Sequence, residues 1–398
     1  MPENRYVAIS SSAPPDAGSG ISTYAKELAI GFIEKGYKVL FISPPPRDQG
    51  WLKENGLEHF PTEPLADQVE IARNLLSKIR AIQPKGVINN DNPVVQALMP
   101  LIPCPSISVG HLNTYSIASL AVWNYPWCDY IVAISSDMKD NFVKNRGIDV
   151  ARCPVIHNGL KIPNDEELVT TSNRKLKVIC ATEYSRRKGG DQILKLCEMF
   201  AKSELLIDFR WYGHMPKKVA RRICSIETVN AMGRVPRHEL ISELRNSDVF
   251  LMASRMEGCP MSLLEAMSFG IVPITSDGIG AMRWLVTNGV DGFVCNINDW
   301  PRQAFRCIEA LEKNRSMLRD MAELTRKRFL CESSIERVVD DLSRLLENPT
   351  VSRSSKPTGC VDIINWHRPG GGGVTPSLLE KIYWRLGRLI KVGRLDVS

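Results

Sequence analysis

The sequence predicts an α/β fold built from two successive halves, each a doubly wound parallel sheet with helices on both faces. Short apolar runs alternate with helical segments along most of the chain, which is typical of buried parallel strands in βαβ units. The alternation is interrupted at the polar segment 161–175 and then begins again. A chain of 398 residues also suits two domains, since domains average roughly 150 residues.

The overall composition excludes several classes of protein. Hydrophobic residues make up 43% and charged residues 24%, which excludes a wholly disordered, collagen-like or coiled-coil chain. No apolar stretch is long enough for a classical membrane span, and the N-terminus MPENRYVAIS lacks the pattern of a secretory signal. The eleven cysteines are scattered without metal-binding spacing, so we expect reduced thiols in a cytoplasmic protein.

The predicted N-terminal domain covers residues 1–160. Its first strand lies within 5–12, and Ser22 or Thr23 is expected to cap the helix that follows a glycine turn. Further strands are predicted at 38–43, 86–90, 106–110, 129–135 and 154–159. His111 directly follows one of these strands, at the carboxyl edge where ligands bind in such sheets, although a lone histidine is often only a hydrogen-bonded core group.

The segment 161–175 is predicted to be a hinge, and the C-terminal domain covers 176–330. Its strands are predicted at 177–183, 207–213, 229–235, 248–254, 271–277 and 292–296. Amphipathic helices fill 300–347, and the part 331–349 is expected to return toward the N-terminal domain. We expect a ligand between the two halves, at the carboxyl ends of their strands.

The last part of the chain is basic. Five of the seven net positive charges lie after residue 349, so the remainder is near neutral, which argues against a nucleic-acid partner. Residues 350–376 are rich in Ser, Pro and Gly and predict a flexible linker. Residues 377–395 predict an amphipathic basic helix, which either binds an anionic membrane surface or packs back on the N-terminal domain.

The strongest motif is Glu257-Gly-Cys-Pro-Met-Ser-Leu-Leu-Glu265. It follows a predicted strand that ends at Ser254 and opens a helix near Pro260, so backbone N–H groups at 259–262 are expected to favour an anion. Amides for a diphosphate and carboxylates for hydroxyl groups together suit a nucleotide sugar. The alternative is that Glu257 only begins a capping segment and Glu265 lies on an exposed helix face.

Two other short segments are candidates for binding phosphate. Lys188 lies in ATEYSRRKGG just before a predicted helix, where a positive charge stabilises a leaving phosphate. Gly18 and Gly20 let the backbone approach a phosphate or sugar closely, because glycine has no Cβ. Thr23 stands where a dinucleotide-binding fingerprint needs its third glycine, so that interpretation fails, and a plain glycine turn is the alternative.

These segments together resemble the retaining GT-B glycosyltransferases of family 4, over about residues 5–347. The motif at 257–265 fits the family's E-x7-E signature, and Glu265-Ala-Met-Ser-Phe-Gly270 fits its continuation. Other matching pieces occur in the family's order: Gly18-Ser-Gly20, Ile156-His-Asn-Gly159, Arg187-Lys188-Gly189, Gly233-Arg-Val235 and Asn246-Ser-Asp248.

The resemblance implies transfer of a sugar from a nucleoside diphosphate sugar to a glycan or lipid-linked acceptor, with retained configuration and no metal or other cofactor. It implies a role in cell-surface polysaccharide or lipopolysaccharide biosynthesis, on the inner face of the membrane. Glu257 would orient the donor sugar, His111 would contact it, and Lys188 would stabilise the phosphate. The implied donor-binding residues are Gly18, Gly20, Arg187, Lys188, Val235, Gly258, Cys259, Pro260, Met261, Ser262 and the ribose-binding Glu265.

One departure from the family keeps alternatives open. Most relatives have an arginine five positions before the lysine, where this chain has Glu183, so Arg186 or Arg187 is a candidate substitute. The alternatives are a nucleotide-sugar 2-epimerase on the same fold, or a non-catalytic nucleotide-sugar-binding protein recruited to a membrane. Segment 92–128 lacks charged residues, which predicts either a buried part of the N-terminal domain or an apolar acceptor face.

Overall fold

The structure is a computed structural model that describes residues 5–63, 66–163, 175–352, 361–364 and 391–395. The chain divides into two compact units. The first unit is Met1–Lys161 together with Ile335–Ser398, and the second unit is Ile162–Ser334. The first unit is therefore discontinuous in sequence, and each unit contains its own parallel sheet.

The first unit contains a parallel sheet of six strands in the order β3-β2-β1-β4-β5-β6. The strands are β1 Tyr6–Ser10, β2 Lys38–Ser43, β3 Glu58–Pro61, β4 Val87–Asn90, β5 Ser106–Gly110 and β6 Tyr130–Ala133. The helices are α1 Gly20–Glu34, α2 Gly50–Glu54, α3 Gln68–Ile82, α4 Pro93–Leu98, α5 Tyr115–Val122 and α6 Ser136–Asp140, which continues as a π-turn over Asn141–Asn145. This strand order is the Rossmann order, with its reversal between β1 and β4.

The second unit repeats that order, as β12-β11-β10-β7-β8-β9, and its reversal lies between β7 and β10. The strands are β7 Leu176–Ala181, β8 Ile207–Tyr212, β9 Val229–Gly233, β10 Val249–Met252, β11 Val272–Ser276 and β12 Phe293–Cys295. The helices are α7 Gly190–Phe200, α8 Lys217–Cys224, α9 Arg237–Arg245, α10 Met261–Ser268, α11 Met282–Leu285, α12 Trp300–Lys313 and α13 Arg315–Glu332. The prediction of two Rossmann-like halves is confirmed.

The inner strands of each sheet are buried along almost their whole length, because helices cover both faces, whereas the edge strands β3, β9 and β12 are mostly half-buried or exposed. In the second unit the largest buried side chains also satisfy their polar atoms. The indole N–H of Trp211 donates to the carbonyl of Thr182 at 2.8 Å, and that of Trp300 donates to Thr275 at 3.1 Å. Each tryptophan therefore fills core volume without leaving a buried donor unpaired.

The last long helix, α14 (Ile335–Glu347), belongs to the first unit, where it packs on α1. Gly31 makes this close approach fit, because a Cβ there would lie 2.8 Å from Cγ2 of Val339. Beyond α14, the buried carboxylate of Asp129 accepts hydrogen bonds from the amides of Thr350 and Val351, each at 2.9 Å. These hydrogen bonds thus hold the segment after α14 against the end of the sheet.

Part of the predicted tail is wrong. Val361–Ile364 (β13) and Lys391–Leu395 (β14) form an antiparallel pair that lies against α3 and α4. The predicted linker 350–376 therefore contains a strand, and the predicted helix 377–395 does not extend over its last five residues. Strand pairing there satisfies backbone groups that a helix end would leave without partners. The remainder of that predicted helix, residues 377–390, lies outside the described residues.

Two local predictions in the first unit are also corrected. Helix α1 begins at Gly20, since the Ser19 hydroxyl caps it by accepting from the Ser22 amide at 3.3 Å. The Ser22 hydroxyl instead donates to the carbonyls of Pro14 and Pro15. Residues 154–159 make a single bridge, from Val155 to Ala133, rather than a strand. Edge strand β3 was not predicted, because its short sequence EHFP lacks an apolar run.

Candidate functional site

The candidate site of the second unit lies where its strand order reverses, which is where such sheets bind ligands. The loop after β7 contains Lys188, and the loop after β10 contains Glu257. The two loops are joined by a hydrogen bond from the Arg255 amide to the Arg187 carbonyl at 2.8 Å. Gly189 allows the two loops to approach this closely, because its φ is +70° and a Cβ would lie 1.9 Å from the carbonyl oxygen of Ala253.

Glu257 is the centre of this site and is only 5% exposed. The Lys188 ammonium donates to its two carboxylate oxygens at 2.6 and 2.9 Å, and the Ser254 hydroxyl donates to Oε1 at 2.8 Å. A guanidinium nitrogen of Arg187 lies 3.5 Å from Oε2. A buried carboxylate is stable only with such partners. The predicted sugar-orienting and phosphate-stabilising residues therefore form one ion-paired group.

The backbone around Glu257 is fixed by the loop that follows β11. The Glu257 amide donates to Ile279 at 2.9 Å, and the Ala281 amide donates to Gly258 at 2.8 Å. Between them, Gly280 has a φ of +123°, and a Cβ would lie 2.0 Å from the Glu257 carbonyl oxygen. The loops after the neighbouring strands β7, β10 and β11 thus together determine the position of the Glu257 carboxylate.

The residues after Glu257 lead into α10. Gly258, Cys259, Pro260 and Met261 are buried and Ser262 is half-buried. Pro260 is the N-cap, and its carbonyl accepts from the amides of residues 263 and 264 at 3.1 and 3.3 Å. The helix therefore opens at Met261, and Pro260, which has no N–H, contributes no donor among the amides predicted at 259–262. The positive end of the α10 dipole favours an anion at this edge of the sheet.

Glu265 is buried, at 7% exposure, so the interpretation that it lies on an exposed helix face is wrong. Its Oε1 atom lies 2.7 Å from a guanidinium nitrogen of Arg237, the first residue of α9. Half-buried Val235 lies two residues earlier, in the segment that joins β9 to α9. Sequence reasoning missed Arg237, although its position two residues after the Gly233-Arg-Val235 segment was a usable signal.

The second missed pair is Arg255 with Asp191. The Arg255 guanidinium makes a fork of two hydrogen bonds to the Asp191 carboxylate, both at 2.7 Å, and also donates to the Arg186 carbonyl at 2.6 Å. This fork holds the pKa of Asp191 below its ordinary value. The side chains of Arg186 and Glu183 are exposed, so of the two candidate substitutes it is Arg187 that contacts Glu257.

The candidate residues of the first unit follow its own sheet. Gly18, with a φ of +63°, and Gly20 come after β1, and His111 comes after β5. His111 Nε2 lies 3.0 Å from the side-chain oxygen of Asn90, whose amide nitrogen donates to the Ser10 carbonyl at 2.8 Å. Because this bond makes the Asn90 oxygen an acceptor, the His111 proton is on Nε2.

A network of buried amides supports His111, and sequence reasoning missed it. Asn89 donates to the side chain of Gln96 at 2.7 Å, and Asn92 donates to the Ser11 carbonyl at 3.0 Å. The side-chain oxygen of Asn92 caps the N-terminus of α4. The sequence did contain a signal for this network, which is the run Asn89-Asn-Asp-Asn92 at the end of a strand. Polar side chains at such a position are rarely buried unless they are hydrogen-bonded.

The uncharged segment 92–128 is mostly buried within the first unit, which favours the packing interpretation. Its aromatic residues Trp123, Tyr125 and Trp127 are half-buried, and the Arg152 guanidinium lies 4.4 Å from the Tyr125 ring centre. Within the described residues, no helix combines the length and apolar character needed to cross a membrane. In that same part of the chain, no three His, Cys, Asp or Glu side chains converge as a metal site would require.

Two family models match the chain. The model described as Glycosyltransferase Family 4 matches residues 18–162, and the model described as Glycosyl transferases group 1 matches residues 164–328. The two matches therefore follow one another along almost the whole of the two sheets.

Curated relatives are distant. A putative colanic acid biosynthesis glycosyltransferase, WcaL of Salmonella typhimurium, is 23% identical over 56% of this chain and 54% of its own length. An Escherichia coli UDP-Gal:alpha-D-GlcNAc-diphosphoundecaprenol alpha-1,3-galactosyltransferase is 41% identical over 16% of each chain. The chain thus spans about half, or less, of the length of these relatives.

A solved structure covers more of the chain. Anabaena HepE, in complex with UDP, superposes with a TM-score of 0.68 at 16% identity, over 86% of this chain and 99% of its own. At this identity the likeness establishes the fold, which is two Rossmann-like domains.

Proposed function

Because the chain belongs to the GT-B glycosyltransferases, we propose that it transfers a sugar from a nucleoside diphosphate sugar to a glycan or lipid-linked acceptor in cell-surface polysaccharide synthesis. One observation carries the proposal: a buried carboxylate, Glu257, is paired with Lys188 where the strand order of the second unit reverses. Positive charge, a helix N-terminus and a second buried carboxylate, Glu265, adjoin it in sequence. These groups suit a diphosphate with hydroxyl-bearing sugars on both sides.

The proposed chemistry retains the anomeric configuration. The acceptor hydroxyl oxygen bonds to the anomeric carbon as the bond from that carbon to the diphosphate oxygen breaks. The hydroxyl proton passes to the departing phosphate oxygen on the same face of the sugar. Lys188 and the amino end of α10 stabilise the charge on this phosphate, and Glu257 orients the donor sugar. His111, held by Asn90, contacts the transferred sugar. We propose that no metal is required.

The acceptor is proposed from the relatives. One of them is named for a diphosphoundecaprenol-linked acceptor and another for colanic acid biosynthesis. A lipid-linked or growing glycan is therefore the acceptor class to test. The basic tail also supports a peripheral position on an anionic membrane, because each Lys or Arg near such a surface contributes about 1 kcal/mol.

The decisive experiment is a transfer assay with a panel of nucleoside diphosphate sugars and lipid-linked glycan acceptors. The configuration of the new linkage is read by NMR, and every assay is repeated with EDTA. We expect transfer with retained configuration that EDTA does not abolish. An inverted linkage would contradict the retaining mechanism. A product epimerised at C2 without acceptor would indicate an epimerase, and donor binding without turnover would indicate a sensor.

The membrane position is tested separately by truncating the chain after Ser352. This cut keeps the contacts of Asp129 with Thr350 and Val351. We expect the truncated protein to retain donor binding and to stop sedimenting with anionic vesicles, whereas the full chain sediments with them. Equal sedimentation of both forms would show that the tail does not bind the membrane.

A further inference from the structure

The first unit has a polar pocket beside the His111 loop, with a volume of about 530 Å³. One wall is formed by residues that follow β5, and the other by α6 and its π-turn. The pocket is lined by Asn113, Tyr115, Asp137, Asp140, Asn141, Lys144, Asn145 and Arg146. Its volume lies within the roughly 300–1,000 Å³ that is usual for small-molecule sites.

Three of the side chains that line this pocket are amides that are linked to one another, from buried Asn113 to exposed Asn145. Asn141 donates to the side-chain oxygen of buried Asn113 at 2.5 Å, and Asn145 donates to that of Asn141 at 3.1 Å. Asn113 in turn donates to the Asp137 carbonyl at 3.4 Å. An amide both donates and accepts hydrogen bonds, and so does a sugar hydroxyl. The linked amides are therefore matched to a polyol.

The two cations of the pocket are already engaged. Arg146 donates to the Ser119 hydroxyl at 2.7 Å and to the Tyr115 carbonyl at 3.3 Å, and it lies over the Tyr115 ring. Lys144 is paired with Asp140 at 2.9 Å. With Asp137 as a further carboxylate, the lining has as many acidic as basic side chains. This balance favours a neutral ligand over a phosphate.

The position and the local backbone also point to a binding site. Asn113 follows β5 and Asp137 follows β6, and the carboxyl ends of neighbouring parallel strands are the ligand edge of such sheets. Asn141 and Asn145 lie in the π-turn Asn141–Asn145, and single π-turns within helices occur often at functional sites. Asn113 is two residues from His111, so a ligand here would adjoin the histidine loop.

We propose that this pocket binds one neutral sugar unit of the acceptor glycan, through hydroxyl contacts with Asn113, Asn141, Asn145 and the two carboxylates. That the sugar belongs to an acceptor rests on the proposed function, whereas the binding of a neutral sugar does not. The pocket would select acceptors by the sugar that lies next to the transfer point.

Saturation-transfer NMR on the full chain tests the proposal, with a panel of neutral methyl hexopyranosides as the probes. We expect at least one glycoside to bind. Asn141→Leu should weaken binding about five- to tenfold, the effect of losing one or two hydrogen bonds. Asn145→Leu changes an exposed position and serves where Asn141→Leu does not fold. Asn230→Leu, an exposed asparagine on β9, is the matched control and should bind like the unaltered protein.

Three results would overturn the proposal. They are the absence of binding by every glycoside, equal binding by the pocket variants and the control, and binding of inorganic phosphate that the pocket variants remove. Donor binding by the same samples separates this failure from failure of the proposed function. If donor binding persists while glycoside binding fails, the pocket is not a sugar site and the transferase proposal is unaffected.

Discussion

The two sheets of this protein share one strand order, yet the side chains at their reversal points differ in kind. In the second unit the reversal point has a paired charge, Glu257 with half-buried Lys188, and a second buried carboxylate nearby, Glu265, pairs with exposed Arg237. In the first unit the groups linked to His111 are neutral amides, with Asn90 as its direct partner, although buried Asp91 lies in the same run. The shared topology fixes where a ligand binds, and the residues that follow the strands decide what it is. Charge suits a diphosphate, whereas neutral amides suit positioning a sugar or an imidazole.

The largest expected effect is at the centre of the charged site. Glu257→Gln should lower kcat/KM for transfer about 100-fold or more, roughly 3 kcal/mol, because it removes the charge that pairs with Lys188. Steady-state kinetics with a saturating acceptor measures the loss. Glu309→Gln, in an exposed pair with Lys313, is the control and should keep full activity. Full activity of Glu257→Gln would exclude this carboxylate from the site.

Lys188 and Arg186 provide a second test, since they are neighbours in sequence with different surroundings. Lys188→Ala should reduce transfer about 10- to 100-fold, because the ammonium binds buried Glu257 and, in the proposed mechanism, stabilises the departing phosphate. Arg186→Ala should change it less than about twofold, because the site uses only the Arg186 carbonyl, which accepts from Arg255. The transfer rates of the two variants, measured side by side, test this difference. Equal losses would mean that Arg186 shares the phosphate contact.

Glu265→Gln should separate binding from chemistry. Hydroxyl contacts to the ribose are similar in the ground and transition states, so the donor KM should rise about five- to tenfold while kcat stays near its original value. Titrating the donor at fixed acceptor measures both constants. A fall in kcat without a change in KM would place Glu265 at the reacting centre instead.

The amide network should matter for stability as much as for activity. Asn90→Leu should lower the free energy of unfolding by about 2 kcal/mol, because Asn90 is buried and its loss leaves the Ser10 carbonyl and His111 without this partner. Urea unfolding measures the change, with exposed Asn230→Leu as the control. An unchanged midpoint would show that the network does not stabilise the first unit.

The smallest effect is a difference in acid sensitivity. Burial lowers the pKa of His59, so the folded first unit favours the neutral ring and loses stability as pH falls below about 6.5. The lowered pKa of Asp191 in the second unit acts in the same direction but at lower pH: its contribution is complete above about pH 4 and is lost only in stronger acid. His59→Gln should therefore reduce the drop in Tm between pH 7.5 and 5.5. An identical drop would assign the acid sensitivity to other groups.

The sequence predicted most strands of the two sheets because their apolar runs, though short, are continuous, and it singled out the Glu257 and Lys188 loops by their motifs. It did not predict Arg237 as the partner of Glu265, because that pairing joins two different helices and the pattern within either helix does not show it. It also missed the β13–β14 pair, since periodicity within one segment carries no information about a strand partner elsewhere. Local pattern thus singled out the loops that we propose bind the donor, whereas the partners of their side chains required the structure.

The discontinuity of the first unit has a consequence for synthesis on the ribosome. The second unit is one continuous stretch and can fold as soon as it has emerged, because domains generally fold as units during translation. The first unit begins earlier but ends later: the α1 surface around Gly31 stays uncovered until α14 has been made. The clamp of Asp129 on Thr350 and Val351 comes later still. The part of the protein that is translated first is therefore the part that finishes folding last.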